Sequence, residues 1–385
     1  MDDVPISKDK LEMPLGEDLF EQEVEEERYA MASQWELMKR KFFRHKLAHI
    51  SLWVLVILYF LAATGEFWAP WDKLTRFQDY IFAPPTKIHL FDTEGRFRGP
   101  FVYGLKGTIN FETWVREYVE DTTQIYRVRF FARGEPYKFW GVFRSDIHFF
   151  LAEGDGKLFL FGTDKLGRDL FSRFLAGARI SLSVGLLGVF ISFFLGITLG
   201  GISGFFGGLA DIIIQRVIEF LLSIPTVPLW MALAAALPPM WDPLRTYFAI
   251  TLILSLLGWT GLARVVRGKI LELREYDYVV AAKVAGAKGI QIIFDHMIPG
   301  FASYLIVNLT MSIPGMIFGE TTLSFLGLGI RPPAVSWGVL LQDAQNVSTL
   351  AVHPWMLIPG LFVIIVVLAY NFVGDGMRDA ADPYR

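Results

Sequence analysis

The sequence predicts an all-α polytopic membrane protein of six transmembrane helices, with a small α+β insert on its external face. Three observations lead there. The 385 residues are 53% hydrophobic with a mean hydropathy of +0.40, on the membrane side of ordinary soluble usage. Apolar runs near the ~20 residues needed to cross a bilayer recur along the chain. Between the first run and the second, a long segment shows instead the two-residue alternation of β-strands.

The elements follow in order. Residues 1–44 read as a cytoplasmic tail; its stretch "GEDLFEQEVEEER" is a solvated tail or a short amphipathic helix. The opening is acidic and polar with no early apolar region, so no secretory signal peptide is expected. The first span is residues 45–63. The external insert covers 64–178, and a five-helix core covers 179–373, its spans lying near Ile180–Gly201, Asp211–Leu237, Tyr247–Leu262, Pro299–Leu328 and Trp355–Phe372. Residues 374–385 form a cytoplasmic tail. Lys39, Arg40, Lys41, Arg44 and Lys46 flank the first span, which places the N-terminus in the cytoplasm, and six crossings return the C-terminus there. The loop after the fourth span, with Arg264, Arg267, Lys269, Arg274, Lys283 and Lys288, is then also cytoplasmic. Arg168, Arg173 and Arg179 sit on the other side and run against that rule.

Within the insert, "HLFDTEGRFRG" reads as a hairpin turning at Asp92–Gly95, "QIYRVRFFA" as a half-buried strand, and "FETWVREYVED" has helical spacing. Tyr137, Phe139, Trp140 and Phe143 are candidates for a small core.

Charge and composition exclude several functions. A net charge of −3 offers no bulk basicity for nucleic acid, and the absence of cysteine excludes disulfides, thiolate metal sites and a cysteine nucleophile. The histidines are scattered; His45 and His49 share a helix face without a neighbouring carboxylate, so no metal site is expected. Asp146 and His148 are the one close acid–histidine pair in the insert, and read as a loop pair. "EGDGKL" lacks the first glycine and the Ser/Thr of a phosphate-binding loop.

Gly196, Gly200, Gly204 and Gly208 recur every four residues, the spacing that lets helices approach closely in lipid; the later two are expected in a short inner loop. Pro225 and Pro228 interrupt the third span and Pro314 the fifth, as in transport sites and in many membrane bundles. Glu219 and Glu320 stand out as acids in or near spans. Glu320, toward the outer end of the fifth, anchors its turn or belongs to a pathway or gate with Pro225 and Pro314.

The cytoplasmic loop, 265–299, contains "YVVAAKVAGAKGIQIIFDHMIPG". Tyr278, Ala281, Ala282 and Ala285 fall on one helix face, with Asp277 as N-cap and Gly286 as stop. A second short helix follows, with Ile290, Ile293, Phe294 and Met297 on one face and Pro299 in the first turn of the next span. Lys283 and Lys288 face solvent or a partner. An alanine face is shallow and closely approachable, and suits a groove on another protein.

The spacing Ala281-Ala282, Gly286, His296 and Ile298-Pro299 resembles the coupling motif of ABC-importer permeases: an acidic residue, two alanines, a glycine, then apolar-x-Leu-Pro. Val280 stands at the acidic position, His296 at the first apolar place, where the peptide branch commonly has histidine, and Ile298 replaces leucine. "FGTDKLGRDLFSRFLAGARISL", "ETTLSFLGLGIRPPAVSWG" and "GDGMRDAADPYR" resemble the segment before the second helix, the fifth-helix end and the tail of oligopeptide and dipeptide importers. The resemblance covers the chain from about Phe161 onward plus the first helix. It implies the type I permease fold and the C-type permease subunit of the oligopeptide/dipeptide/nickel family, in a branch with an extended insert.

It further implies a bacterial inner-membrane location and a second homologous permease subunit. Two ATP-binding subunits, which use ATP and Mg, would dock at Asp277, Tyr278, Ala281, Ala282, Lys283, Gly286, His296 and Pro299. An extracytoplasmic solute-binding protein would deliver cargo. The chain itself would bind no cofactor and catalyse nothing. Its cargo would be peptides, with oligosaccharides, opines or nickel complexes as alternatives. An ion-coupled secondary transporter would need charged residues within its spans, and these are sparse. A membrane enzyme would need convergent catalytic groups in the insert.

Overall fold

The computed structural model describes residues 34–112 and 115–381. The acidic stretch read as a solvated tail lies outside them, as do the last four residues of the C-terminal segment. Helix α1 (Gln34–Arg44) leads into α2 (Lys46–Ala63), then α3 (Gly65–Trp68). The insert supplies β1 (His89–Phe91), β2 (Phe97–Asn110), β3 (Val115–Phe139) and β4 (Phe143–Ala152). The core is α4 (Leu170–Phe206), α5 (Gly208–Ser223), α6 (Thr226–Ala235), α7 (Pro243–Leu273), α8 (Asp277–Val284), α9 (Gly289–Gln291), α10 (Ala302–Phe325), α11 (Trp337–Gln342), α12 (Val347–Val352) and α13 (Ile358–Ala381).

Among the described residues five helical runs are long and apolar enough to cross a membrane: α2, α4, α7, the run from Gly289 to Phe325, and Pro354–Ala381. The bent pair α5 and α6 makes a sixth if counted as one span. The pair bends by 88° where the sequence places Pro225. The cause is local. Ile224 precedes a proline and is pushed to extended backbone, at φ −98° and ψ 130°, and Pro225 can donate no hydrogen bond across the break. Pro228 lies in the first turn of α6, where amide protons lack helical acceptors anyway. α13 continues to Ala381, so most of the expected C-terminal tail is helical.

The glycine spacing decides how α4 meets α7. A Cβ built on Gly196 falls 2.9 Å from Leu262, and one on Gly200 only 2.5 Å from the Ala263 carbonyl oxygen. Gly204 lies within α4 against Arg267 and Ile270, and not in the expected loop; the chain turns one step later, at Gly207 and Gly208 with φ +64° and +55°. Nearer the start of α4, one apolar core draws in α2, α6, α7, α10 and α13, with Trp337 fully buried and stacked on Phe174.

The insert is an antiparallel meander in the order β1-β2-β3-β4. Its first hairpin turns at Asp92–Gly95 as expected: Asp92 Oδ1 accepts from the amides of Glu94 and Arg96, and Gly95 takes φ +76°. The run expected as a helix, "FETWVREYVED", is strand from Val115, because it pairs with β2 from Asn110 back to Gly104 and that ladder overrides its helical spacing. The expected insert, 64–178, ends earlier, since α4 already begins at Leu170; before it, the helical part is the short turns Gly65–Trp68 and Gln78–Tyr80. Its small core is Val102, Val128 and Leu158, packed by Tyr126 and Phe150. The aromatics expected there are elsewhere: Trp140 and Phe143 are 62% and 68% exposed at the tip of the β3–β4 hairpin.

The arginines that ran against the charge rule are neutralised. Asp164, fully buried, accepts from Arg168 Nε at 2.7 Å and from Arg173 Nη1, and Arg173 also reaches Asp343 at 3.5 Å. Arg179 forks onto Glu66 and donates to the last carbonyls of α2, Ala62 and Ala63, at 3.1 and 3.0 Å. These charges serve structure at the end of the bundle.

Candidate functional site

α8 projects from the same end of the bundle as the basic end of α7. Its first turn carries Asp277, with Tyr276 at the N-cap position and no side-chain cap; the sequence placed the cap one residue later. Its end is a Schellman turn: the Ala287 amide donates to the Ala282 carbonyl and the Gly286 amide to that of Lys283. Gly286 takes φ +82°, which an L side chain rarely adopts, and nothing lies within 4 Å of where a Cβ would be. Glycine is needed here for the backbone alone.

The segment then differs from two separate short helices. From Gly289 the chain runs through α9, a π-helical stretch (Ile292–Met297) and a 3-10 turn (Ile298–Phe301) into α10. Pro299 sits in that 3-10 turn. The π-helical stretch, with its wider turn, shifts the buried face: Ile292, Ile293 and Met297 are buried, while Ile290 and Phe294 are exposed. The buried three join Val279 in a cluster with Ile197, Leu262, Val266 and Ile270 of α4 and α7. The loop is thereby packed to the span helices.

That anchoring sets which face of α8 looks outward. Val279 is fully buried and Ala282 half-buried, and Lys283 Nζ lies 5.2 Å from the Phe205 ring centre. The opposite side carries Asp277, Val280, Ala281 and Val284, at i, i+3, i+4 and i+7. Val284 is 84% exposed. The face read from the sequence, Tyr278, Ala281, Ala282 and Ala285, is rotated from this one: Tyr278, Ala281 and Ala285 are exposed, but Ala282 turns toward the core. Lys288, Asp295, His296 and Pro299 are exposed.

A bolt of charge fixes the base of this region. Asp211 at the start of α5 accepts two hydrogen bonds from Arg267 of α7 and one from Ser203 of α4. The sequence marked Arg267 only as one of several basic residues.

Further into the bundle, a hollow of about 260 Å³ lies among α4, α6, α7 and α10. Ser192, Trp230, Asn308, Ser312 and Gly315 line it. It joins the two proline features: Trp230 belongs to the helix that Pro225 opens, and Gly315 follows Pro314 inside α10. The Trp230 Nε1 is buried without a hydrogen-bond acceptor.

Glu320 is fully buried near the end of α10. Its Oε2 accepts from Ser181 of α4 at 2.8 Å and its Oε1 from Ser324 at 2.7 Å. Ser181 in turn accepts from the Trp337 amide and Ser324 from the Ile330 amide. The carboxylate thus ties α4, α10 and the loop from Leu326 to Ser336. Glu219 is exposed beside Arg216.

The remaining candidates have structural partners. His45 caps α2 by accepting from the Ala48 amide, and His49 Nε2 accepts from Trp53. Asp146 and His148 lie on strand β4 and do not pair: Asp146 faces Arg133, while buried His148 sits between the carbonyls of Ala69 and Glu135.

A family model described as the binding-protein-dependent transport system inner membrane component matches residues 196–384, and one described as the N-terminal TM domain of oligopeptide transport permease C matches residues 33–85. The dipeptide transport system permease protein DppC of Bacillus subtilis (strain 168) is 42% identical over 224 residues, 58% of this chain and 68% of that protein. The DppC of Lactococcus lactis subsp. cremoris (strain MG1363) is 31% identical over 349 residues, 89% of each. The inward-facing MetNI methionine ABC transporter overlaps 54% of this chain and 96% of its own, at 17% identity and a TM-score of 0.41. The chain belongs to the inner-membrane permease components of binding-protein-dependent transport systems, in the C-type oligopeptide and dipeptide permease group.

Proposed function

We propose that the chain is the C-type permease subunit of an ATP-driven peptide importer in a bacterial inner membrane, with both termini cytoplasmic. The carrying observation is α8: a short helix with an unpartnered small apolar face, held to the span helices by Val279, Ile292, Ile293 and Met297. A rigid link of that kind converts movement of a docked subunit into movement of the bundle. Two ATP-binding subunits, which use ATP and Mg, supply the movement, one of them docking at α8. A second homologous permease completes the route, and an extracytoplasmic solute-binding protein delivers cargo. The relatives' peptide cargo, carried over to this chain, supports peptides as substrate.

The hollow beside Trp230 faces that route in this reading. An unpaired indole N–H together with the Asn308 amide and Ser312 hydroxyl offers hydrogen bonds suited to peptide carbonyls and amides. Arg168 and Arg173 are paired with Asp164 and Arg179 with Glu66, which supports the orientation by removing these three arginines from the charge count on the outer side.

The test is reconstitution of the whole assembly in proteoliposomes. ATP-driven uptake of a peptide is expected, with calorimetry showing the binding protein to prefer peptides over oligosaccharides. Uptake by this chain without the ATP-binding subunits overturns the mechanism; an oligosaccharide-selective binding protein overturns the cargo alone.

A further inference from the structure

The β3–β4 hairpin ends in an apolar tip that stands largely exposed among the described residues. Phe139 and Phe143 pair across it, Trp140 stacks on Phe139, and Trp140, Val142 and Phe143 are 62%, 72% and 68% exposed. Trp140 and Gly141 both take positive φ, 51° and 74°. For tryptophan that backbone is unfavourable and persists only where its surroundings fix it.

The surroundings are the end of a membrane span. Trp140 Nε1 donates to the carbonyl of Ala63, the last residue of α2, at 2.6 Å. That helix has 18 residues, a length of about 27 Å at ~1.5 Å per residue, close to the ~30 Å hydrocarbon core. The Trp140 indole therefore lies at the boundary between hydrocarbon and headgroups. The hairpin is bent to reach that level. β3 carries three residues, Gly134–Pro136, opposite one on β4, and such a bulge re-aims the strand beyond it. Buried His148 holds the bend, with its ring nitrogens 2.6 Å and 2.9 Å from the Ala69 and Glu135 carbonyl oxygens.

Two further features match a lipid surface. The exposed stripe of α2 ends at Phe60, which touches Trp68; Trp68 touches Phe149, and Phe149 touches Phe131, a chain of rings at the span end. Aromatic rings concentrate at that level of a membrane. Directly behind the tip, Lys138 and Arg144 are opposite one another across the hairpin, both exposed. Like charges so placed repel unless an anion lies between or beside them.

We propose that the Phe139–Phe143 tip is a second membrane attachment of this subunit, its rings in the interface at the C-terminal end of α2 and Lys138 and Arg144 on lipid phosphate. It ties the insert to the bilayer as well as to the helices.

The chain contains no cysteine, which allows single labelling sites. Val142→Cys, with Val119→Cys on the outer sheet as control, takes a nitroxide label. The assembled transporter, its other subunits cysteine-free, is reconstituted in bilayers of phosphatidylethanolamine and phosphatidylglycerol. Collisions with oxygen and with a water-soluble nickel chelate are measured. The expected result is several-fold higher oxygen-to-nickel accessibility at 142 than at 119, decreasing with Lys138→Glu plus Arg144→Glu and when phosphatidylglycerol is omitted. Equal ratios at the two sites overturn the proposal, as tip residues in water. So does low accessibility to both reagents at 142, which means that a protein, the second permease or the binding protein, covers the tip.

Discussion

Arg267 Nε and Nη2 donate to the two carboxylate oxygens of Asp211, each at 2.6 Å, and join α7 to the first turn of α5. Both side chains are partly exposed, at 32% and 21%, so solvent screens the pair and its worth is modest. Its geometry is nonetheless forked, which lysine cannot reproduce. Arg267→Lys is expected to lower the melting temperature of the detergent-solubilised assembly by about 2–4 °C, equivalent to roughly 1 kcal/mol. A double-mutant cycle with Asp211→Asn checks it: additive effects of the two changes mean the fork contributes nothing.

Glu320 is predicted to act through its hydrogen bonds, not through its charge. Glu320→Gln keeps an acceptor oxygen for one of Ser181 and Ser324 and turns its amide NH2 toward the other hydroxyl, whose oxygen can accept, and is expected to fold and transport close to wild type. Glu320→Ala leaves both hydroxyls without their acceptor in the interior, at a cost of roughly 1–3 kcal/mol. Thermal unfolding of the two variants separates the readings. Loss of uptake in Glu320→Gln at unchanged stability assigns the carboxylate to the pathway instead.

Asp169 caps α4, accepting from the Ser172 amide and hydroxyl. Burial pushes its carboxyl up to about 7, against the opposing pull of those hydrogen bonds. The ordinary unfolded value is ~3.9, so between ~4 and about 7 the folded state holds the extra proton. This contribution to stability is complete below ~4 and is lost as pH rises through about 7. Asp169→Asn keeps the cap and removes the titration. Its melting temperature is expected to exceed that of wild type at pH ~8 and to vary less with pH. Parallel curves for the two proteins contradict the assignment.

Much of the bundle was legible because lipid imposes simple rules. Each expected span coincides with a helix or, for the third, with the bent pair, since hydropathy and Pro225 are local signals. Gly196 and Gly200 announced a close contact, though the sequence could not name Leu262 or Ala263 as its other side. "FETWVREYVED" misled because pairing with β2 is a long-range contact that overrides spacing. Phe139, Trp140 and Phe143 misled because aromatic residues at a membrane interface have the same composition as a core. The Asp164–Arg173–Asp343 network joins positions 170 residues apart, beyond reach of any local pattern. On α8, the phase of the exposed face depended on Val279 finding Ile270 and Met297, which period alone does not specify.

That phase yields the sharpest prediction about coupling. If the ATP-binding subunit docks on the outward side of α8, its contacts center on Val280, Ala281 and Val284. Val284 is 84% exposed and packs into none of the apolar clusters among the described residues, so Val284→Glu is expected to leave the melting temperature unchanged. A buried carboxylate facing an apolar groove is costly without a partner. Association with the ATP-binding subunits is expected to weaken by roughly tenfold or more, about 1.4 kcal/mol per factor of ten. Ala282→Leu presses instead on the inner cluster and is expected to lower stability first. Pull-down of the ATP-binding subunits, paired with thermal unfolding, reads both. Intact association and ATP-driven uptake in Val284→Glu, with loss in Ala282→Leu at wild-type stability, places the docking face where the alanine spacing alone first suggested it.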